Sequence, residues 1–267
     1  MDQTIETNEP REKKSVTFDR WWLLFAGVIL IIVLLVIFKP DPYSRIVVFV
    51  SDGIWMTIVL TVVSFVLVLL LGLFVALARL SKIVILRGIA TVYVEVIRGI
   101  PLLVQLIFWY FAFPALVKQL GAAWGIESFK NYQANAIAMA ILGLAFCYTA
   151  YMSEVYRSGI QSISKGQMEA ARSLGMTYFQ AMRFVIIPQA IRVILPPVGN
   201  EFITLLKDTS LVSTVAVADM TRRGREFMAA NYIPIQTWIM IALLYLVLTV
   251  LSARVVSFLE RKMRMEK

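Results

Sequence analysis

The sequence predicts an all-α, polytopic membrane protein with about six transmembrane helices. Two facts of composition and one pattern lead there. Of the 267 residues, 60% are hydrophobic and 16% are charged, and the mean hydropathy is +0.78. A soluble domain carries nearer to about 25% charge. The pattern is a succession of apolar runs, each long enough to cross a hydrocarbon core of roughly 30 Å as a helix.

Residues 1–20 are polar and of mixed charge (Glu6, Glu9, Arg11, Lys13, Lys14, Arg20) and read as a disordered cytoplasmic tail. The first span is 21–38, opened by a tryptophan pair. A signal peptide would need small residues at a cleavage site, and Phe38-Lys39-Pro40 offers none. Turn formers make 41–53 a short connection. The second span is 54–78, closed by Arg79 and Lys82. Residues 83–101 mix apolar positions with Arg87, Glu95 and Arg98, which predicts an amphipathic or partly embedded helix. It should end at Gly99-Ile100-Pro101, because proline is poorly tolerated inside helices.

The third span is 102–117, followed by a polar loop over 118–133. The fourth is 134–156. The fifth is 190–206, with an early interruption expected at Pro196-Pro197. A longer loop, 207–234, carries Arg222, Arg223 and Arg225. It is expected either to dock an external partner or to be solvated. The sixth span is 235–256, and a basic tail ends the chain at 261–267.

Charge bias sets the expected orientation. With both termini cytoplasmic, the inner segments hold Arg79, Lys82, Arg87, Arg98, Arg157, Lys165, Arg172, Arg183 and both tails. The outer loops hold Lys39, Arg45, Lys118, Lys130 and the 207–234 cluster, which runs against the rule without reversing it. The net charge of +9 is thus a property of membrane flanks, and the expected partner is a lipid bilayer rather than nucleic acid. There is no histidine, which removes His-based metal sites and Ser-His-Asp catalysis. The single cysteine, Cys147, can form no disulfide within the chain. No G-x-x-x-x-G-K-[ST] occurs, so nucleotide hydrolysis by that route is not in this chain.

One polar island, 160–188, interrupts the apolar sequence. Ser162 and Ser164 can cap a helix start, and Glu169 to Leu174 are mostly good helix formers. Gly175 permits a turn, and Phe179, Met182 and Val185 open the next helix. The island should face the cytoplasm as a short helix shaped to be gripped. A solvated amphipathic helix is the plainer alternative.

The island's residues are spaced in a recognisable way. Glu169-Ala170-Ala171 is followed after three residues by Gly175, and after nine more by Val185-Ile186-Ile187-Pro188. This resembles the EAA signature of permease subunits of ABC importers, with Val185 and Ile187 departing from its I-x-L-P. Tyr93 to Leu102 (YVEVIRGIPL), Asn200-Glu201-Phe202 and Lys207 to Leu211 (KDTSL) resemble stretches shared by permeases for polar amino acids. The likeness covers roughly 50–260.

The resemblance implies a five-helix type I ABC importer core over 50–260, with 21–38 as an extra N-terminal helix. It also implies a cytoplasmic coupling helix in which Glu169, Ala170 and Ala171 are the grip, Gly175 the turn and Pro188 the re-entry. A dimer of ATP-binding subunits would hold ATP and Mg²⁺, leaving this chain non-catalytic and without cofactor or metal. A second permease (the same chain or a related one), an extracytoplasmic solute-binding protein and a bacterial cytoplasmic (inner) membrane complete the expected setting. The expected cargo is a polar amino acid, with Glu201 and Asp208 leaning toward a zwitterionic or cationic one. The alternatives are another small solute or, further off, a stand-alone secondary transporter.

Ionisable groups inside spans are costly in hydrocarbon and so are candidates for a path or a packing contact. Glu201 lies thirteen residues after Pro188, roughly 20 Å along a helix. Thr204 and Asp208 follow on the same face, a face able to meet an ammonium group or to hold the bundle through Asn200 and Glu201. Gln105, Phe108 and Trp109 share a side of the third span and suit either an amino acid or helix packing. Glu154 should form a structural or gating ion pair with Arg157, at the depth of Arg98, with substrate contact as the alternative, and Glu95 should pair with Arg98 or Arg87. Thr149 and Ser153 should bond between helices.

Overall fold

In a computed structural model, residues 20–265 are described, and the protein is a helical bundle. Almost all of the tail expected at 1–20, and residues 266–267 of the basic tail, lie outside the described residues. Six helical stretches are long and apolar enough to cross a membrane: Trp21–Phe38, Pro40–Leu80, Leu102–Trp124, Ala136–Gln161, Tyr178–Thr214 and Pro234–Lys262.

Helix α1 (Arg20–Phe38) packs against α12 (Pro234–Met265) and α2 (Pro40–Leu80), burying Val28. At its start, Arg254 lies 5.2 Å from the centre of the Trp21 ring. Helix α2 overturns the connection expected at 41–53. Apart from a non-helical Asp41 (φ −99°, ψ 118°) at its start, it is helical through to Leu80, about 60 Å, or twice the hydrocarbon thickness. The turn formers there have other uses. Pro40 and Pro42 sit in the first turn, where their missing N–H groups are not needed. Gly53 permits close approach: a Cβ on it would lie 2.9 Å from the Asp219 carbonyl oxygen and the Met220 Cα.

Helices α2 and α7 (Ala136–Gln161) form the most extensive pairing. Association in lipid gains little from the hydrophobic effect, so close backbone packing must supply it. The buried side of α2 accordingly includes the small or polar Gly53, Thr57, Thr61, Ser64, Gly72 and Ala76, set among Tyr43, Ile46, Val50, Leu60 and Val68. Ser153 on α7 bonds its own helix, at Ala150 O, rather than bridging helices as expected.

Helix α3 (Val84–Gly99) is amphipathic as predicted, burying Ala90, Val94 and Ile97 while Arg87, Glu95 and Arg98 stay exposed. The chain breaks at Ile100-Pro101 and continues as α4 (Leu102–Ile107), a π-helical turn (Phe108–Ala112) and α5 (Phe113–Trp124). The loop expected at 118–133 is thus largely helical, and it includes the short α6 (Glu127–Lys130).

After α7 come α8 (Lys165–Ser173), α9 (Tyr178–Ala181), a second π-helical turn (Met182–Ile186) and α10 (Ile187–Asp208). The expected interruption at Pro196-Pro197 does not occur, and α10 passes through both. The two missing N–H groups would have met the carbonyls of Arg192 and Val193. Proline is tolerated in membrane helices where neighbours or local adjustment re-satisfy the freed groups. The loop expected at 207–234 is instead a 3₁₀ turn (Thr209–Thr214) and α11 (Met220–Asn231). Asp219 starts α11, its carboxylate accepting from the Thr221 and Arg222 amides.

Candidate functional site: an acidic recess between two polar ends

The first end of the bundle carries α8. Ser164 caps its start by accepting from Gly166 N, whereas Ser162 belongs to the end of α7. At the other end of α8, Met176 N donates to Ala171 O and Gly175 N to Arg172 O. This closure needs a left-handed residue, and Gly175 supplies it at φ +85°. Glu169 and Ala170 are exposed, but Ala171 is buried against the protein's own body. Ala171 therefore anchors α8 rather than offering itself to a partner. Beside Glu169 and Ala170, the structure exposes Leu174, Tyr178 and Phe179, an apolar patch that the motif does not announce. Pro188 lies in the first turn of α10, continuous with the π-helical turn before it. Gln189 Nε2 donates to Gln167 Oε1 at 3.2 Å and to Val185 O at 2.9 Å, which ties α8 to α10.

At the same end, Glu154 receives Arg79 at 2.5 Å and also Arg157, which in turn reaches Gln161. Arg157 is the partner expected. Arg79 was not foreseen, and Arg98 stands elsewhere, 5.3 Å over the Tyr151 ring. Glu95 is exposed and forms no ion pair among the described residues, contrary to expectation.

Between the ends lies a recess of about 210 Å³, lined by Leu102, Cys147, Tyr148, Tyr151, Glu201, Thr204 and Asp208. That is on the order of seven water molecules of liquid volume. Glu201, Thr204 and Asp208 do share the face predicted for them. Asp208 accepts from Tyr148 OH at 2.7 Å, and Thr204 Oγ1 bonds back to Asn200 O. Asn200 is exposed and does not line the recess. The lining carries two carboxylates and two phenols, with Arg98 beside it over the Tyr151 ring and within electrostatic reach of Glu201; two carboxylates against this one cation leave a field that favours a positive group.

Gln105 and Trp109 do not line this recess. The Gln105 amide donates to Ile97 O and Ile100 O, each at 2.9 Å, and to Cys147 Sγ at 3.4 Å. It thereby satisfies carbonyls left open where α3 ends. Trp109 packs among Phe108, Phe113 and Phe146. Leu102, Cys147, Tyr148 and Tyr151 are the lining residues that sequence reasoning missed. They come from other helices, and no spacing within one helix reports such neighbours.

The second end carries α11. Asp219 is fully buried and also receives Tyr245 OH at 3.3 Å, while Met220 N donates to Thr57 on α2. Burial pushes the Asp219 carboxyl above the usual carboxylate range, against the pull of its amide and hydroxyl donors. The three arginines are engaged within the chain: Arg222 with Glu226, Arg223 with Asp52 and Glu226, and Arg225 with Ser213 Oγ.

The helix count, the polar cap and the mid-bundle recess define a multi-pass membrane permease. The chain belongs to the family described as the binding-protein-dependent transport system inner membrane component, whose profile matches residues 68–265 and leaves α1 outside. It is 39% identical, over 80% of its length and 86% of the relative's, to the L-cystine transport system permease protein TcyB of Bacillus subtilis. It is 34% identical to the glutamine transport system permease protein GlnP of Escherichia coli, over 80% of this chain and 92% of the relative. A crystal structure of an amino acid ABC transporter with histidines superposes with a TM-score of 0.72 at 39% identity, covering 82% of this chain and 96% of that one. A methionine ABC transporter, MetNI, in an inward-facing conformation shares the fold at 18% identity and a TM-score of 0.62.

Proposed function

We propose that this chain is the membrane-spanning permease of an ABC importer for polar amino acids, and that the recess takes the ammonium of its cargo. The observation that carries this reading is the pairing of Glu201 and Asp208 around one small volume with no cation among its lining residues. A zwitterionic or cationic amino acid presents the charge such a lining attracts. Relatives named for cystine, glutamine and arginine transport support the cargo class.

In this reading, α8 faces the cytoplasm, with both termini on that side. It is the contact for a dimer of ATP-binding subunits, which hold ATP and Mg²⁺. Glu169 and Ala170 meet that partner, together with Leu174, Tyr178 and Phe179. A second permease completes the path, and a solute-binding protein delivers cargo at the α11 end. The chain performs no chemistry itself. Closure of the ATP-binding subunits moves α8, and the Gln167–Gln189 contact passes that movement to α10, which carries the acidic face. The membrane is a bacterial cytoplasmic membrane.

The test is uptake in proteoliposomes holding the assembled transporter. Glu201→Gln should weaken import, and most strongly for cationic amino acids. Unchanged uptake and unchanged charge preference would exclude the recess. Glu169→Lys should separately lower assembly with the ATP-binding subunits, and intact assembly and uptake would exclude the role given to α8.

A further inference from the structure

The side of α10 away from the recess borders two adjoining apolar cavities. One, of about 220 Å³, runs from Phe202 to Leu195 and Leu259. The other, of about 230 Å³, runs from Phe202 to Leu206 and Leu248. They share Phe202, Ser252 and Val255, so they form one groove between α2, α10 and α12. The antiparallel pair α10 and α12 spans it from Leu195/Leu259 to Leu206/Leu248, about 16 Å.

The slot is lined mainly by apolar side chains, and an extended hydrocarbon chain can lie along it. Charge marks one mouth. Arg192 stands one turn before Leu195 on α10, and Lys262 one turn beyond Leu259 on α12. Both are exposed at the α8 end. Arg261 is nearby, and Glu260 is the acidic residue of the same turn. Basic residues at the mouth of an apolar inter-helix slot are the pattern that holds an anionic headgroup.

We propose that this groove is a binding site for an anionic phospholipid, one acyl chain lying along Phe202 and Ser252 and the phosphate held between Arg192 and Lys262. The site is separate from the recess and does not depend on the cargo.

The full chain, purified in mild detergent, is exchanged with phosphatidylglycerol or with phosphatidylcholine of the same acyl chains. Lipid retained per chain is then counted by native mass spectrometry. The wild-type chain should retain phosphatidylglycerol in preference. Arg192→Gln with Lys262→Gln should lower that retention by roughly tenfold or more, whereas Arg192→Lys with Lys262→Arg should preserve it. Ser252→Phe should displace the chain; if that variant misfolds, the charge pair alone decides. Equal retention of both lipids would overturn the proposal, as would indifference to the loss of both charges. So would a Ser252→Phe variant that keeps its lipid but no longer associates with a second copy, since the groove would then be an interface between chains.

Discussion

The Arg79 guanidinium meets the Glu154 carboxylate at 2.5 Å, joining the end of α2 to α7 about two helical turns before α7 ends at Gln161. The Arg79 side chain is 8% exposed and that of Glu154 26%, so little water screens the pair. Arg157 shares the same carboxylate. Glu154 is thus the common acceptor, and its loss strands two cations where the loss of either arginine strands none.

Glu154→Gln should therefore destabilise more than Arg157→Gln. Breaking a buried pair by removing one partner costs about 3–5 kcal/mol; partial exposure here brings the expected loss nearer to about 2 kcal/mol. Arg157→Gln leaves the Arg79 contact in place and should cost under about 1 kcal/mol. Thermal unfolding of the chain in detergent orders the two variants, and the reverse order would remove Glu154 from the centre of the network.

Asp219 predicts a dependence on pH. Its folded carboxyl is held above the ordinary value, so the fold binds this proton more tightly than the unfolded chain does. Its contribution is greatest in acid and declines as pH rises from about 4 through the raised value. Asp219→Asn keeps an acceptor for the α11 amides and has no proton to lose, so its melting temperature should fall less as pH rises. Asp219→Ala also loses the cap and should lie about 1 kcal/mol below Asp219→Asn at any pH.

Gly175→Ala isolates backbone strain, because nothing lies within 4 Å of where the Cβ would stand. A loss of about 1 kcal/mol is expected, confined to α8. Hydrogen exchange should quicken over 165–176 and stay unchanged in α2 and α7.

The two neighbouring alanines of α8 should behave differently. Ala171→Leu overfills a buried position and should lower stability by about 1–3 kcal/mol. Ala170→Leu, on the exposed side, should leave the melting temperature unchanged and reduce copurification with the ATP-binding subunits. Equal effects on stability would contradict the burial difference.

Gln105→Leu should cost about 1–3 kcal/mol, since it leaves the Ile100 carbonyl without its side-chain donor and the Ile97 carbonyl with only the long Ile100 N–H contact. Uptake by the folded variant should keep its charge preference, because Gln105 does not line the recess. A changed preference would return Gln105 to the solute path.

How much of this could be read from sequence follows from where each signal resides. The spans were legible because hydropathy is a property of a single segment. The acidic face of α10 was legible because Glu201, Thr204 and Asp208 sit at helical spacing on one element. Stretches 41–53, 118–133 and 207–234 were misread because polar residues and glycines there cap and pack helix ends that project past the apolar region. Gly53 serves α11 rather than a turn, and Asp219 starts a helix where an ordinary loop was expected. An aspartate followed by a run of helix formers was the available sign of α11. The third-span side of Gln105 and Trp109 was correctly drawn but its use was not, since a helix face does not say what it meets. Arg79–Glu154 and Arg98–Tyr151 were closed to sequence for the same reason.

Helix α10 turns Glu201, Thr204 and Asp208 to the recess and Leu195, Phe202 and Leu206 to the apolar groove. It is a party wall between a wet room and an oily one. A rigid wall cannot be shifted for one tenant alone: every displacement that widens the polar side reshapes the apolar side by the same stroke.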